Sequence, residues 1–248
     1  MKTSYHEEFY EINAPVSAAS ANALLRALRE IYPAATLLDV GCGIGTWGQA
    51  AKALGFTQYK GVDGDYVSRG QLLVGSDEFL AHDLCRPFNL GERFDLAICM
   101  EVGEHLPAEA AGILVHSLCV HAPVVLFSAA IPRQGGVDHV NEQWQSYWAG
   151  LFAGEGYEVY DCIRPRVWER GEVAEYYKQN ALVYVDRREE ALSALFGGDW
   201  KARKPILNLV HPATYQIKSN PLRWPLPTVL RSLPAILFRV IKNRLLPS

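Results

Sequence analysis

Leu37-Leu38-Asp39-Val40 is an apolar run that passes straight into three glycines at alternate positions, Gly41, Gly43 and Gly45, and from there into Thr46-Trp47-Gly48. Glycines let a backbone turn tightly and approach a ligand, and a helix start leaves N–H groups unpaired, so this segment reads as strand, anion-accepting loop and helix. A strand of this kind needs parallel neighbours covered on both faces. QYKGVD (58–63), EFLAHD (78–83), FDLAICM (94–100) and VVLFSAA (124–130) are further short apolar runs, with helical stretches between several of them. Residues 15–32 place Ala, Leu and Ile at helical spacing up to Pro33, predicting a helix before the first strand. YEVYDCI (157–163) and ALVYVDR (181–187) follow each other closely and predict a final antiparallel pair. The expected class is α/β, a mostly parallel sheet with helices on both faces.

At 248 residues, 49% hydrophobic and 21% charged, the chain is an ordinary globular sequence with room for one core and an appendage. We expect a domain over 1–190, including the N-terminal helix, and a basic, proline-containing extension over 191–248. The net charge of −3 hides an asymmetry. From Lys201 to Ser248 there are nine Lys or Arg and no acids, so the first 200 residues carry 15 bases against all 27 acids. Phosphate contacts need a basic face, so no nucleic-acid partner is expected of this acidic body. Cys42, Cys85, Cys99, Cys119 and Cys162 form neither a C-x-x-C pair nor a zinc pattern, and read as reduced thiols with no metal expected. The N-terminus is polar and lacks a secretory core, and no run of about 18 apolar residues occurs, so a cytoplasmic location is expected.

Gly43, Gly45 and Gly48 spell G-x-G-x-x-G, which alone suggests a nicotinamide-dependent oxidoreductase. Asp39 opposes that, because a carboxylate just before the loop repels a pyrophosphate and attracts an ammonium group, directly or through water. Counted from the strand end, the glycines are moreover Gly41, Gly43 and Gly45. Asp63 ends the second strand, about 20 residues beyond the glycines, where an acidic side chain accepts from ribose hydroxyls. Asp83, after the third strand, stands where it can accept from an exocyclic amine. Each alone is a turn or cap residue as readily as a ligand contact; their placement after successive strands favours the site.

In this order of motifs, LLDVGCGIGTWG, GVDGD, HDL, FDLAICMEVGEHL and VVLFSAAIP, the stretch from Ser17 to Asp186 resembles the class I S-adenosylmethionine-dependent methyltransferases. The resemblance implies a doubly wound, Rossmann-like seven-stranded sheet with an antiparallel last strand, and S-adenosylmethionine as cofactor. It implies the cofactor's methionine over Gly41, Cys42, Gly43 and Gly45, with Asp39 and Trp47 beside them. Ribose is implied on Asp63 and Gly64, adenine near His82, Asp83 and Leu84, and the transferred methyl beside Met100 and Glu101.

Methyl transfer is an in-line displacement at a sulfonium, and a hydroxyl acceptor must also lose a proton. His105, in Glu101-Val102-Gly103-Glu104-His105, can serve as a base near neutral pH or simply fix the loop. The segment Ala130–Trp148 follows the fifth strand at the same sheet edge, and it resembles a loop of bacterial methyltransferases of glycan and secondary-metabolite pathways. His139 and Glu142 are its acceptor-side candidates. Trp144, Tyr147 and Trp148 at helical spacing read as core. The expected activity is O-methylation of a small molecule or glycan-type acceptor; a cofactor-binding protein acting by interaction is the non-enzymatic alternative. Residues 221–248 interleave apolar and basic residues, which suits self-association or packing, or peripheral contact with the inner face of an anionic membrane.

Overall fold

Thr36–Val40 (β1), Gln58–Asp63 (β2), Phe79–Ala81 (β3), Leu96–Met100 (β4), Val124–Ser128 (β5), Tyr157–Tyr160 (β6) and Leu182–Asp186 (β7) form one sheet in the order β3-β2-β1-β4-β5-β7-β6. The computed structural model describes residues 7–197, 205–220 and scattered positions between 226 and 237. Strands β1 to β5 pair in parallel, and β7 runs antiparallel to β5 on one side and β6 on the other. The sheet is the one expected, with β3 shortened at both ends to Phe79–Ala81.

Helices α1 (Glu7–Arg29), α2 (Thr46–Ala53), α3 (Ala111–His121), α4 (Gln145–Gly154), α5 (Arg164–Val167), α6 (Glu175–Asn180) and α7 (Glu190–Gly197) surround it. β4, β5 and β7 are buried at every position, because both faces are covered. Side chains alternate: Leu96, Ile98 and Met100 of β4 join the core that includes Leu24 and Leu28 of α1, while Ala97 and Cys99 join Leu114, Leu118, Trp148 and Phe152. Trp148 is core, as its spacing suggested, whereas Trp144 is 40% exposed. One boundary differs from expectation: α1 starts at Glu7 and continues through Pro15, rather than starting there.

The first compact unit runs to Leu209, beyond the boundary expected at 190, and takes in α7 and a strap over 205–209. Arg164, almost wholly buried, donates to both Asp161 oxygens and to the carbonyls of Gln179, Ile206 and Leu207. The second unit is Val210–Ser248, whose helix α8 (Pro212–Ser219) is capped by His211 accepting from the Ala213 N–H. Most of segment 221–248, the stretch expected to contact a membrane or self-associate, lies outside the described residues. Among the described residues no helix is long and apolar enough to cross a membrane.

Candidate active site

β1 and β4 are sequence-distant neighbours whose following connections leave in opposite directions across the sheet, which opens a crevice at their carboxyl ends. A cleft of about 1210 Å³ lies there, larger than the roughly 300–1000 Å³ of a typical single small-molecule site. It has room for a cofactor and a second ligand.

The glycine loop forms its floor. Gly41 sits at φ +80, in the left-handed region, and a Cβ there would run into Val102, so only glycine serves. Its N–H bonds the Val62 carbonyl at 2.7 Å, fixing the loop to β2. Gly48 serves packing instead, since a Cβ there would strike the Tyr59 ring and its absence lets α2 approach β2.

Asp63 closes one side of this floor. Its Oδ2 accepts from the Gly43 N–H at 2.6 Å, and its Oδ1 accepts from the Gly64 N–H at 2.6 Å and the Tyr66 hydroxyl at 2.5 Å. Burial pushes its pKa up against the pull of these three donors. Tyr66 is 40% exposed, so its hydroxyl is the partner most readily exchanged for a ribose hydroxyl. Beyond Asp63, His82, Asp83 and Leu84 stand on the cleft wall, where Asp83 also accepts from the Cys85 N–H as a turn residue does.

Asp39 is 2% exposed, accepts from the Tyr59 hydroxyl at 3.0 Å and is not among the residues lining the cleft, a setting that suits the water-mediated form of the expected ammonium contact better than the direct one. Burial raises its pKa to about 7. Gly45 likewise lies off the wall, positioning α2 as the residue before its first turn.

The opposite side starts at β4. Met100 and Glu101 line the cleft, and Glu101 holds φ +57, a strained conformation for a residue with a Cβ. The Glu101 carboxylate accepts from Gln134 Nε2 at 2.9 Å and Asn180 Nδ2 at 3.1 Å; burial raises its pKa while these amides lower it. Gln134 and Asn180 were not legible as site residues, nor were Tyr176 and Tyr177, which complete the wall from α6 beside Trp47.

A one-turn helix, Gly103–His105, then meets the loop 130–143. The Glu104 carbonyl accepts from the Val140 and Asn141 N–H groups at 2.9 and 3.0 Å, which pins the loop over the turn. Glu142 organises the loop from behind: it accepts from the Arg133 and Gly135 N–H groups and lies 2.9 Å from His139 Nδ1. It is not among the residues lining the cleft, and its contact there is through His139, which it orients. His105 and His139 do line the cleft, edge to face with ring centroids 4.8 Å apart. Burial first, and then His139, lower the His105 pKa to about 4.

Sheet order, glycine loop and the acidic residue ending β2 together define a class I S-adenosylmethionine-dependent methyltransferase. Residues 10–162 match the family model described as a methyltransferase domain, and the chain belongs to that family. No curated protein matches it. Among solved structures it is similar to DesVI of Streptomyces venezuelae, at 19% identity and TM-score 0.53 over 73% of this chain and 96% of that one. It is also similar to the sugar N-methyltransferase KedS8 from Streptoalloteichus, at 17% identity and TM-score 0.55 over 75% and 97%. A third is the magnesium protoporphyrin IX methyltransferase ChlM from Synechocystis with bound cofactor, at 19% identity and TM-score 0.51 over 75% and 86%. The cofactor is S-adenosylmethionine, and the literal nicotinamide reading of G-x-G-x-x-G falls.

Proposed function

We propose that this enzyme methylates a hydroxyl of a small molecule or glycan-type acceptor held between the glycine loop and the loop 130–143. The observation that carries the reading is the cleft itself, whose floor is the glycine loop and Asp63 and whose far side presents two imidazoles. The residues present suit the cofactor: the loop approaches closely without side chains, and Asp63 holds a hydroxyl that a ribose can replace. When bound, the cofactor supplies an electrophilic methyl. The chain's part is to align the acceptor oxygen with it and take up the proton.

We assign that proton to His139. Glu142 engages Nδ1 and so fixes the tautomer that leaves Nε2 as an acceptor. His105, with a pKa near 4, stays neutral and is too weak a base to take a hydroxyl proton, so its part is contact and positioning. A group that takes up a proton is what a hydroxyl acceptor requires and an already neutral amine does not. KedS8 is named as a sugar N-methyltransferase, so nitrogen transfer is the competing reading. Labelled S-adenosylmethionine offered to a panel of polyols, phenols and aminosugars separates the two. Label transferred to oxygen is the expected result; label on amines alone overturns it. Cofactor binding without transfer to any acceptor class would instead support a non-catalytic protein.

A further inference from the structure

Glu104 is fully buried in the wall of the cleft, and neither carboxylate oxygen has a hydrogen-bonded donor. The backbone amides of Glu104 and Ala130 stand near it without reaching bonding geometry, and the Glu101 carboxyl lies beside it, so burial first and then this neighbour push the Glu104 carboxyl toward its neutral form. An ionised carboxyl in such a place is costly unless a cation lies against it. What faces it is a pair of imidazoles. Glu104, His105 and His139 each offer one ligand atom, and the three atoms lie within 4.8 Å of one another.

The imidazoles are also held as metal-binding histidines are, with one ring nitrogen engaged from behind by a carboxylate or carbonyl. His139 Nδ1 is engaged by Glu142 at 2.9 Å, and His105 bonds the Asp138 backbone carbonyl. Gly136 packs against the Nε2 edge of His139, where any Cβ would collide, so only glycine allows this ring position. Asp138 holds φ +56, a second strained residue supporting the set.

We propose that Glu104, His105 and His139 form a binding site for a divalent transition cation of the series from Mn2+ to Zn2+. Bonds of about 2.0–2.2 Å would set the three ligand atoms roughly 3–4 Å apart, so a pair now at the 4.8 Å limit would close by about 1–2 Å. Two nitrogens and one oxygen suit a first-row transition cation, whereas Mg2+ and Ca2+ call for oxygen ligands. Three protein ligands leave positions open toward the cleft. An acceptor hydroxyl in one of them would ionise more readily than in water and lose its proton to solvent, with His139 then a ligand in place of the base, and cation binding itself does not depend on that reading.

The test is isothermal titration of the chelator-treated full-length chain with Zn2+, Mn2+ and Mg2+, with Co2+ as an absorbing probe. We expect one equivalent bound, in the order Zn2+ above Mn2+ above Mg2+, with Co2+ bands of a nitrogen and oxygen site. Glu104→Gln, His105→Ala and His139→Ala each weaken binding by about 100-fold or more, and Glu142→Gln by about 10–100-fold. S-adenosylhomocysteine titration of each variant checks its fold, and His139→Ala, on a loop, keeps the test decisive if Glu104→Gln does not fold. No saturable binding of any cation below about 1 mM, or binding unchanged in folded Glu104→Gln or His139→Ala, overturns the site. Saturable binding by a chain that methylates no hydroxyl would overturn the proposed function and leave the site standing.

Discussion

Asp39, the last residue but one of β1, and Asp63, the last of β2, are both buried, yet their neighbours give them different roles. Asp39 has one donor, Tyr59, and a pKa near 7. The unfolded chain releases this proton near pH 4, so between pH 4 and 7 the folded state holds more protons, and stability is lost as pH rises through that window. Asp39→Asn keeps an acceptor for Tyr59 and removes the titration. Its stability relative to the parent should improve by about 2–3 kcal/mol between pH 5 and pH 8 in urea melts; a gap that does not change with pH would contradict the burial argument. Asp63 is bonded by three donors and faces the cleft. Asp63→Ala should weaken S-adenosylhomocysteine binding by roughly 1–3 kcal/mol in calorimetry, the value of a charged hydrogen bond. It should also lower the melting temperature, because the Gly43 and Gly64 amides lose their acceptor. Tyr66→Phe removes the hydroxyl that a ribose displaces and should hold or improve affinity. A loss there as large as that of Asp63→Ala would place Tyr66, rather than the ribose, as the lasting partner.

The loop 130–143 works as one element because the Glu142 carboxylate ties three of its residues together. His139→Ala should lower turnover by about 10²–10⁴ with cofactor affinity near that of the parent. Glu142→Gln should retain part of that activity, since an amide can still hold the ring, and Gly136→Ala should mimic His139→Ala by displacing the ring. A raised acceptor KM with unchanged kcat in His139→Ala would demote it to a binding residue. At this scale the limits of sequence reading are plain. The strands are legible because each is an uninterrupted apolar run between breakers, and the glycine loop because its signal is local. Helix α1 is longer than its pattern suggests because Pro15 reads as a start, although the structure carries it inside. Glu104 with His139 is not legible, since 34 positions separate them and only the pinning of Val140 and Asn141 onto the Glu104 carbonyl brings them together. Gln134 and Asn180 escape notice for the same reason, as only the fold brings them to Glu101 and to each other. The types and positions of Asp39 and Glu142 fit the site, but which way a buried carboxyl turns depends on donors such as Tyr59 and the Arg133 amide that no local pattern announces.

Across the first unit, the cleft depends on a contact far from it. The Arg164 guanidinium bonds Asp161 through two nitrogens and reaches the Ile206 and Leu207 carbonyls of the strap as well as the Gln179 carbonyl of α6. Gln145 and Ser146 of α4 add bonds to Leu209 and Asn208. The residue after Gln179 is Asn180, which holds Glu101 at the cleft, so the strap, α6 and the methyl-transfer side form one hydrogen-bonded chain. This also accounts for the compact unit continuing past 190: its strap satisfies a buried cation that the rest of the unit leaves incomplete. Arg164→Met keeps the side chain's length but strands the Asp161 carboxylate and three carbonyls. It should cost about 3–5 kcal/mol, the penalty for breaking a buried pair from one side. Arg166→Met, whose partner is a single carbonyl and which is exposed, should stay within about 0.5 kcal/mol of the parent. In limited proteolysis of Arg164→Met the earliest cuts should fall in the strap over 205–209, and S-adenosylhomocysteine affinity should drop with them as α6 loosens. An Arg164→Met chain that melts with the parent and resists cleavage there would show that the strap lies against the unit without supporting it.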